Sequence, residues 1–175
     1  FEIDFFEKFI KKISIIDATF IRLFSPLNTL EKTTKKWLPI LNEAKAIASQ
    51  YEIILAIENE PVCELSSYSD VTKFLISNEL DEVKTVWDPG NDFSIKNNFI
   101  MPELNYNNII EVQLKDWSLD EKSWVSLGKG GMPLSVYSSL SKASHLCLET
   151  HVGETEEEKT LAATQSLNFI RERFS

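Results

Sequence analysis

Four polar side chains stand where predicted buried strands end. Each is the last inward-facing residue of its strand, in the segments IENEP, WDPGN, EVQLKD and CLETH: Glu58, Asp88, Gln113 and Glu149. Carboxylates that emerge from buried strands are costly unless they are paired or used. Three carboxylates that converge would repel one another unless a cation lies among them. A set of oxygen ligands suits Mg²⁺ or Mn²⁺ better than a metal that prefers thiolates.

The elements that must bring these residues together are alternating strands and helices. Residues 53–57 are apolar on both faces, as in a strand that is covered on both sides. Further strands are predicted at residues 19–24, 83–88, 109–115 and 145–149, and helices at residues 5–18, 30–50, 66–77 and 134–141. This order predicts an α/β fold with parallel strands and right-handed crossovers. In such folds, ligands bind at the carboxyl ends of the strands.

Local signals refine the boundaries of these elements. Pro39 predicts a kink or a late start of the helix at residues 30–50. Ser69 and Asp70 are the candidate caps of the next helix. The segments 93–108 and 117–131 lack periodicity and are predicted as loops. A last helix is expected after the capping box at residues 155–158, with apolar cover from Leu161, Leu167, Phe169 and Ile170.

The composition excludes several classes of protein. A chain of 175 residues with 43% hydrophobic content forms about one domain with a real core. The net charge of -9 argues against nucleic acid or an anionic membrane as the partner. No apolar stretch approaches the roughly 20 residues of a membrane span. The two cysteines, Cys63 and Cys147, lack metal-site spacing and favour reduced thiols in a cytoplasmic protein.

Four matched segments resemble the xylose-isomerase-like superfamily of sugar phosphate isomerases and epimerases. They are LAIENEP (55–61), VWDPGN (86–91), VQLKD (112–116) and LCLETH (146–151). FIRLF (20–24), LGKGGMPL (127–134) and SLNFIRERF (166–174) follow the same order. The resemblance implies a (β/α)8 TIM barrel of which this chain, one domain over residues 1–175, supplies roughly the last five βα units. The first three units are expected to be missing.

The resemblance also implies a metal site and a reaction. The family holds a divalent metal, often Mn²⁺, with ligands that correspond to Glu58, Asp88, position 113 and Glu149. Mn²⁺ is therefore the expected cofactor, with Mg²⁺ or Zn²⁺ as alternatives. Glu58 and Glu149 are the expected acid/base pair for proton transfer next to a carbonyl through an enediolate. The substrate would be a small sugar or sugar phosphate, and its expected contacts are Arg22, Asn91, Lys115 and His151.

One ligand position departs from the family pattern, which is HxKD. Gln113 replaces the histidine, and an amide oxygen binds a cation less tightly than an imidazole does. Glu111 lies two residues earlier on the same strand face, where it either compensates or pairs with Arg22, since an arginine inside a strand needs an anionic partner. Lys115 is either a site residue or the partner of Asp116.

Three alternatives follow from this departure and from the shared fold. The first is a non-catalytic relative that acts as a scaffold or as a small-molecule binder. The second is an abasic-site endonuclease, which the low histidine content and the acidic charge disfavour. The third is a dehydratase acting on a polyol-derived ketone. The open edges of a partial barrel favour either a longer native chain or a homo-oligomer.

Overall fold

The chain divides into two compact units, residues 1–86 and residues 87–175. The computed structural model describes residues 2–31, 33–95 and 99–174, apart from the side chain of residue 174. The prediction of a single domain over residues 1–175 stays a prediction.

The first unit alternates helices and parallel strands. Helix α1 (Ile3–Ile13) continues into a 3-10 turn (Ser14–Ile16) and leads to β1 (Phe20–Phe24). Helix α2 (Thr34–Ser49), strand β2 (Ile54–Glu58), helix α3 (Tyr68–Ser77) and strand β3 (Lys84–Trp87) follow. Strand β2 pairs in parallel with both β1 and β3, and Phe24 lies opposite Glu58. The strand-then-helix order predicted from the sequence is confirmed here.

The core of the first unit lies between β2 and the helices. Leu55 and Ile57 alternate with Ala56 and Glu58 along β2, so the two apolar side chains share one face. They belong to a buried cluster that α1 and α2 complete with Phe6, Ile10, Trp37, Leu41, Ala44 and Ala48. Burying one such side chain contributes roughly 1.5–3 kcal/mol. This packing fixes β2 so that its other face carries Glu58.

A left-handed residue lies between each helix and the strand that follows it in the first unit. Asp17, Glu52 and Glu79 have φ values of 55°, 57° and 55°. Such a residue ends a helix by closing its last carbonyl groups. The backbone N–H of Ala18, Ile53 or Leu80, the residue after each, donates to a carbonyl five residues earlier. In these three places, the hydrogen bond ends the helix and fixes the direction in which the chain enters the next strand.

Two helix starts in the first unit differ from the predictions. Helix α2 begins at Thr34, so Pro39 accompanies a late start and lies inside the helix. Helix α3 is capped by Ser67 rather than by Ser69, and Asp70 closes the capping box from the third helical position. The prediction of Ser69 as a cap was wrong because the cap lies two residues earlier, at Ser67.

The second unit is built around two parallel strands. It contains α4 (Pro89–Ser94), β4 (Ile109–Leu114), β5 (Asp116–Ser118), β6 (Ser123–Val125), α5 (Leu134–Ser139), a 3-10 turn (Leu140–Lys142), β7 (Leu146–Leu148) and α6 (Glu156–Phe174). Strand β4 pairs in parallel with β7, with Gln113 opposite Cys147. Strands β1, β2, β3, β4 and β7 thus all belong to parallel pairings, and β5 and β6 form an antiparallel pair.

Two segments of the second unit differ from the predicted loops. Residues 89–94, for which no helix was predicted, form α4 with Asp88 as its cap. The segment 117–131 contains the β5–β6 hairpin, in which Trp117 faces Trp124. Their rings meet edge to face with centroids 4.8 Å apart. The hairpin escaped prediction because its strands are three residues long and its turn is charged. Residues 96–98 of the predicted loop at 93–108 lie outside the described residues.

Asp116 fastens this hairpin and the loop that follows it. Its buried carboxylate accepts hydrogen bonds from the backbone N–H groups of Gly128 (3.0 Å), Gly130 (3.0 Å) and Met132 (3.2 Å). It also accepts one from the Tyr137 hydroxyl at 3.1 Å and one from the N–H of Trp117 at 2.9 Å. Asp116 therefore holds both ends of the segment in place, and the reading of Lys115 as its partner does not apply.

Helix α6 begins as predicted, but only part of its predicted apolar cover is buried. Phe169 packs against Tyr137, with ring centroids 5.0 Å apart. The N–H of Glu158 donates to Thr155 Oγ1, and Glu158 Oε2 accepts from the N–H of Thr155, as a capping box requires. Leu161 and Leu167, predicted as apolar cover, are 59% and 40% exposed. Ala162 and Ser166 are buried instead. None of the described helices is long and apolar enough to cross a membrane.

Candidate functional site

Glu58 is a buried carboxylate at the end of β2. It is 1% exposed, and its Oε2 lies 2.7 Å from Arg22 Nη1 of the neighbouring strand. The Arg22 guanidinium also lies 5.2 Å from the centre of the Phe24 ring. Arg22 therefore has the anionic partner that its position in a strand requires. One third of its side chain stays exposed, so the guanidinium also faces solvent.

The segments that follow β1 and β2 are held together beside Glu58. The Ser25 hydroxyl accepts from the N–H of Leu65 at 2.9 Å, and the N–H of Glu64 donates to the carbonyl of Pro26 at 2.8 Å. The Glu64 carboxylate caps α2 by accepting from the N–H of Thr33 at 2.6 Å and of Thr34 at 3.2 Å. These bonds fix the backbone at the carboxyl ends of both strands.

Asp88 is the buried acid of the second unit. It is fully buried, and its Oδ1 accepts from the N–H of Asn91 at 2.9 Å, which caps α4. Its Oδ2 lies 2.9 Å from Lys115 Nζ. Burial raises the pKa of Asp88 to about 6, with a smaller rise from Glu149, although Lys115 and the N–H of Asn91 both lower it. The nearby Lys115 ammonium thus favours the charged form of the Asp88 carboxyl and partly offsets the effect of burial.

Lys115 bridges two carboxylates of the second unit. Its Nζ lies 2.9 Å from Asp88 Oδ2 and 2.9 Å from Glu149 Oε2, and only 4% of its side chain is exposed. Burial by itself would lower the pKa of Lys115, but Asp88 and Glu149 outweigh it and raise the pKa. Gly90 permits this approach, because a Cβ there would lie 2.8 Å from Lys115 Cγ.

His151 and Trp124 complete the surroundings of the ammonium. His151 Nε2 lies 3.3 Å from Glu149 Oε2, and its side chain is 47% exposed. The Trp124 ring, carried by β6, has its centre 4.8 Å from Lys115 Nζ. The cluster of Asp88, Lys115, Glu149 and His151 therefore has an aromatic wall on one side and an exposed imidazole on another.

Gln113 lies one alternation before Lys115 on the same face of β4. Its Nε2 donates to Glu111 Oε1 at 3.2 Å, and the residue is 4% exposed. Its Oε1 is buried and has no hydrogen-bond partner within the described ranges. A buried carbonyl oxygen without a partner is costly, and a cation would satisfy it. The donor chemistry on this face therefore fits a hard cation, although Lys115 now bridges the two carboxylates.

The predicted site residues divide between the two units. Arg22 and Glu58 meet in the first unit, whereas Asp88, Lys115, Glu149 and His151 meet in the second. Asn91 is buried beside Asp88 and contacts it through its backbone. Trp87, which directly precedes Asp88, is fully buried, and its indole N–H donates to Asp92.

Sequence reasoning missed two residues that shape the cluster. Trp124 was not among the predicted site residues, yet it lies against the Lys115 ammonium. Asp116 was considered only in one of two possible roles for Lys115, as its partner, yet it anchors the hairpin that carries Trp124. The alternation of Trp117-Ser118 and Ser123-Trp124 across a short charged turn is the signal that could have revealed the hairpin.

Comparison with solved structures identifies the fold. The chain resembles an IOLI protein with a bound zinc atom at a TM-score of 0.71 and 18% identity, over 97% of this chain and 66% of that one. The chain has the fold of a xylose-isomerase-like TIM barrel. It also resembles D-psicose 3-epimerase from Clostridium cellulolyticum H10 with D-tagatose (TM-score 0.71, 14% identity, 97% and 69% covered).

A third barrel supports the same assignment. The apo 3-keto-D-glucoside 4-epimerase YcjR from E. coli aligns at a TM-score of 0.69 and 12% identity, over 95% of this chain and 69% of that one. The chain therefore spans about two thirds of the length of these barrels. This agrees with the expected α/β fold and with five of the eight strands of a complete barrel. The sequence matches no family model and no curated protein.

Proposed function

We propose that the chain is part of a metal-dependent sugar or sugar phosphate isomerase or epimerase. The observation that carries the proposal is the buried Asp88–Lys115–Glu149 cluster at the carboxyl ends of strands in this barrel fold. The neighbours named as epimerases support the reaction class. A cytoplasmic location and a homo-oligomer belong to the same proposal.

The proposed metal ligands are Glu58, Asp88, Gln113 and Glu149, the set that the resemblance implies. All four offer oxygen, so Mn²⁺ is the proposed ion, with Mg²⁺ and Zn²⁺ as alternatives. When bound, the metal would polarise the carbonyl and hydroxyl oxygens of a substrate as a Lewis acid. The buried oxygen of Gln113 is the donor that most needs such a partner.

The proposed chemistry is the removal and return of one proton next to a carbonyl. One of Glu58 and Glu149 takes the proton from carbon, the carbonyl becomes an enediolate, and the other carboxyl returns a proton to carbon. Arg22, Asn91 and His151 would hold substrate hydroxyls or a phosphate. The exposed third of Arg22 and the exposed half of His151 make both available to a ligand.

Deuterium exchange tests this proposal without knowledge of the final product. The chain is incubated in D₂O with MnCl₂ and either D-psicose or D-tagatose, and NMR follows deuterium at the carbons next to the carbonyl. Exchange is expected, and Glu149→Gln and Glu58→Gln should reduce its rate at least 100-fold, as loss of a general base does. Glu154→Gln, at an exposed position near Glu149, serves as the matched control.

The second candidate is a non-catalytic barrel relative that binds a small molecule. Gln113 in place of histidine favours it, because the amide oxygen binds a cation more weakly. This candidate predicts Mn²⁺ or sugar binding without deuterium exchange for any ketose tested. Exchange that persists unchanged in both Glu→Gln variants would contradict the assignment of Glu58 and Glu149 as the acid/base pair.

A further inference from the structure

The two carboxylates that the second unit would offer to a metal already share a cation. Lys115 Nζ lies 2.9 Å from Asp88 Oδ2 and 2.9 Å from Glu149 Oε2. Hydrogen bonds between ionised groups at this distance are about twice as strong as neutral ones. The ammonium therefore occupies the position between two acids where a divalent cation would make its contacts.

The surroundings hold this ammonium in place. Gly90 lets the Lys115 side chain pass close to the backbone of α4, where any Cβ would clash. The Trp124 ring lies 4.8 Å from Nζ, and a cation over an indole face gains further stabilisation. Trp124 is carried by the hairpin that Asp116 fastens. These three features all act on the position of Lys115.

We infer that Lys115 is a resident cation that competes directly with a divalent metal for Asp88 and Glu149. This inference rests on the proposed function, since it assumes that the same two acids bind the metal. A metal ion and an ammonium at the same oxygens would repel each other, so metal binding must displace Lys115. Displacing Lys115 breaks both charge-assisted hydrogen bonds and the contact with Trp124. The free energy lost in this way makes metal binding weaker.

Titration of the purified chain with MnCl₂ by calorimetry tests the inference. Lys115→Met keeps a long apolar stem and removes the charge. We expect Lys115→Met to bind Mn²⁺ roughly 10- to 100-fold more tightly than the unsubstituted chain, because two charged hydrogen bonds no longer oppose binding. Lys115→Arg keeps the charge and should gain no affinity. Lys129→Met removes an exposed lysine from the same unit and is the matched control.

The outcomes separate this inference from the proposed function. Mn²⁺ binding by the unsubstituted chain that is no tighter in Lys115→Met would overturn the competition and leave the metal site intact. The absence of Mn²⁺ binding in both proteins would overturn the competition and the metal-dependent function together. Binding by Lys115→Met alone would support the inference in its strongest form.

A labelling measurement on the unsubstituted chain covers the case in which Lys115→Met does not fold. Formaldehyde and a borohydride methylate lysine amines that are accessible, and peptide mass spectrometry reads each position. Lys115 is 4% exposed in its bridging position, so it should react slowly. Saturating MnCl₂ should speed its methylation at least several-fold while Lys129 keeps its rate. A Lys115 rate that Mn²⁺ leaves unchanged would contradict the displacement.

Discussion

Replacing Asp116 by asparagine tests how the second unit holds the β5–β6 hairpin, which carries Trp124 against Lys115. The carboxylate accepts five hydrogen bonds: two reach Oδ1, from the N–H groups of Trp117 and Met132, and three reach Oδ2, from Gly128, Gly130 and Tyr137. An asparagine can keep the three bonds by placing its oxygen at the Oδ2 position. Its NH₂ group then faces two N–H donors, neither of which it can satisfy.

The cost of Asp116→Asn follows from those two donors. A buried donor left without a partner costs about 1–3 kcal/mol, so the substitution should lower the free energy of unfolding by about 2–6 kcal/mol. Urea denaturation followed by tryptophan fluorescence measures this, because Trp117 and Trp124 both lie on the hairpin. Asp120→Asn, at an exposed position of the same hairpin, should change the free energy by less than about 0.5 kcal/mol.

Two results would refute this reasoning. A loss below about 1 kcal/mol in Asp116→Asn would mean that the five bonds do not act together. An equal loss in Asp120→Asn would mean that charge on the hairpin, rather than the buried acceptor, determines stability. A partial loss with a red-shifted tryptophan spectrum would instead agree with a hairpin that detaches before the unit unfolds.

Two further predictions concern one residue in each unit. The hydrogen bonds from Thr34 and Thr33 lower the pKa of Glu64 to about 2 although burial alone would raise it. A carboxyl whose pKa is lower in the folded chain stabilises it above the unfolded value and loses that effect on acidification. Glu64→Gln should therefore lower the free energy of unfolding by about 1–3 kcal/mol at pH 7. Urea denaturation at several pH values should show this difference shrinking between about pH 4.5 and pH 2, and a difference that does not depend on pH would contradict the prediction. Gln113→His introduces the histidine of the family that the chain resembles, and it should tighten Mn²⁺ binding at least tenfold in calorimetry. Gln113→Leu should weaken Mn²⁺ binding, and equal affinities in all three proteins would show that Gln113 is not a ligand.

The sequence was sufficient to predict those parts of the fold in which a residue pattern is compatible with few structures. The apolar run before Glu58 predicted a covered strand, and β2 ends at that residue. Arg22 within a strand required an anion, and Glu58 lies 2.7 Å from it. The structural neighbours confirm the barrel fold that the strand-end motifs predicted.

The sequence was insufficient where side chains had several partners to choose from. Asp116 follows Lys115 directly, and adjacency favoured a pair, but neighbouring residues on a strand point to opposite faces. Lys115 instead reaches Asp88 and Glu149, which lie 27 and 34 residues away along the chain. The exposure of Leu161 and Leu167 was equally hidden, because periodicity identifies an apolar stripe and does not identify what covers it.

The left-handed residues Asp17, Glu52 and Glu79 have a consequence for how the first unit tolerates sequence change. All three precede strands, whereas Glu58 lies at the opposite end of one. A residue with a side chain is strained in this conformation, and glycine relieves the strain. Replacing Asp17, Glu52 or Glu79 with glycine is therefore expected to raise the melting temperature of the unit. The residues that affect stability here lie before the strands, whereas the candidate site residue Glu58 lies at the end of β2. Substitutions at the first positions can therefore change the stability of the unit without changing the site.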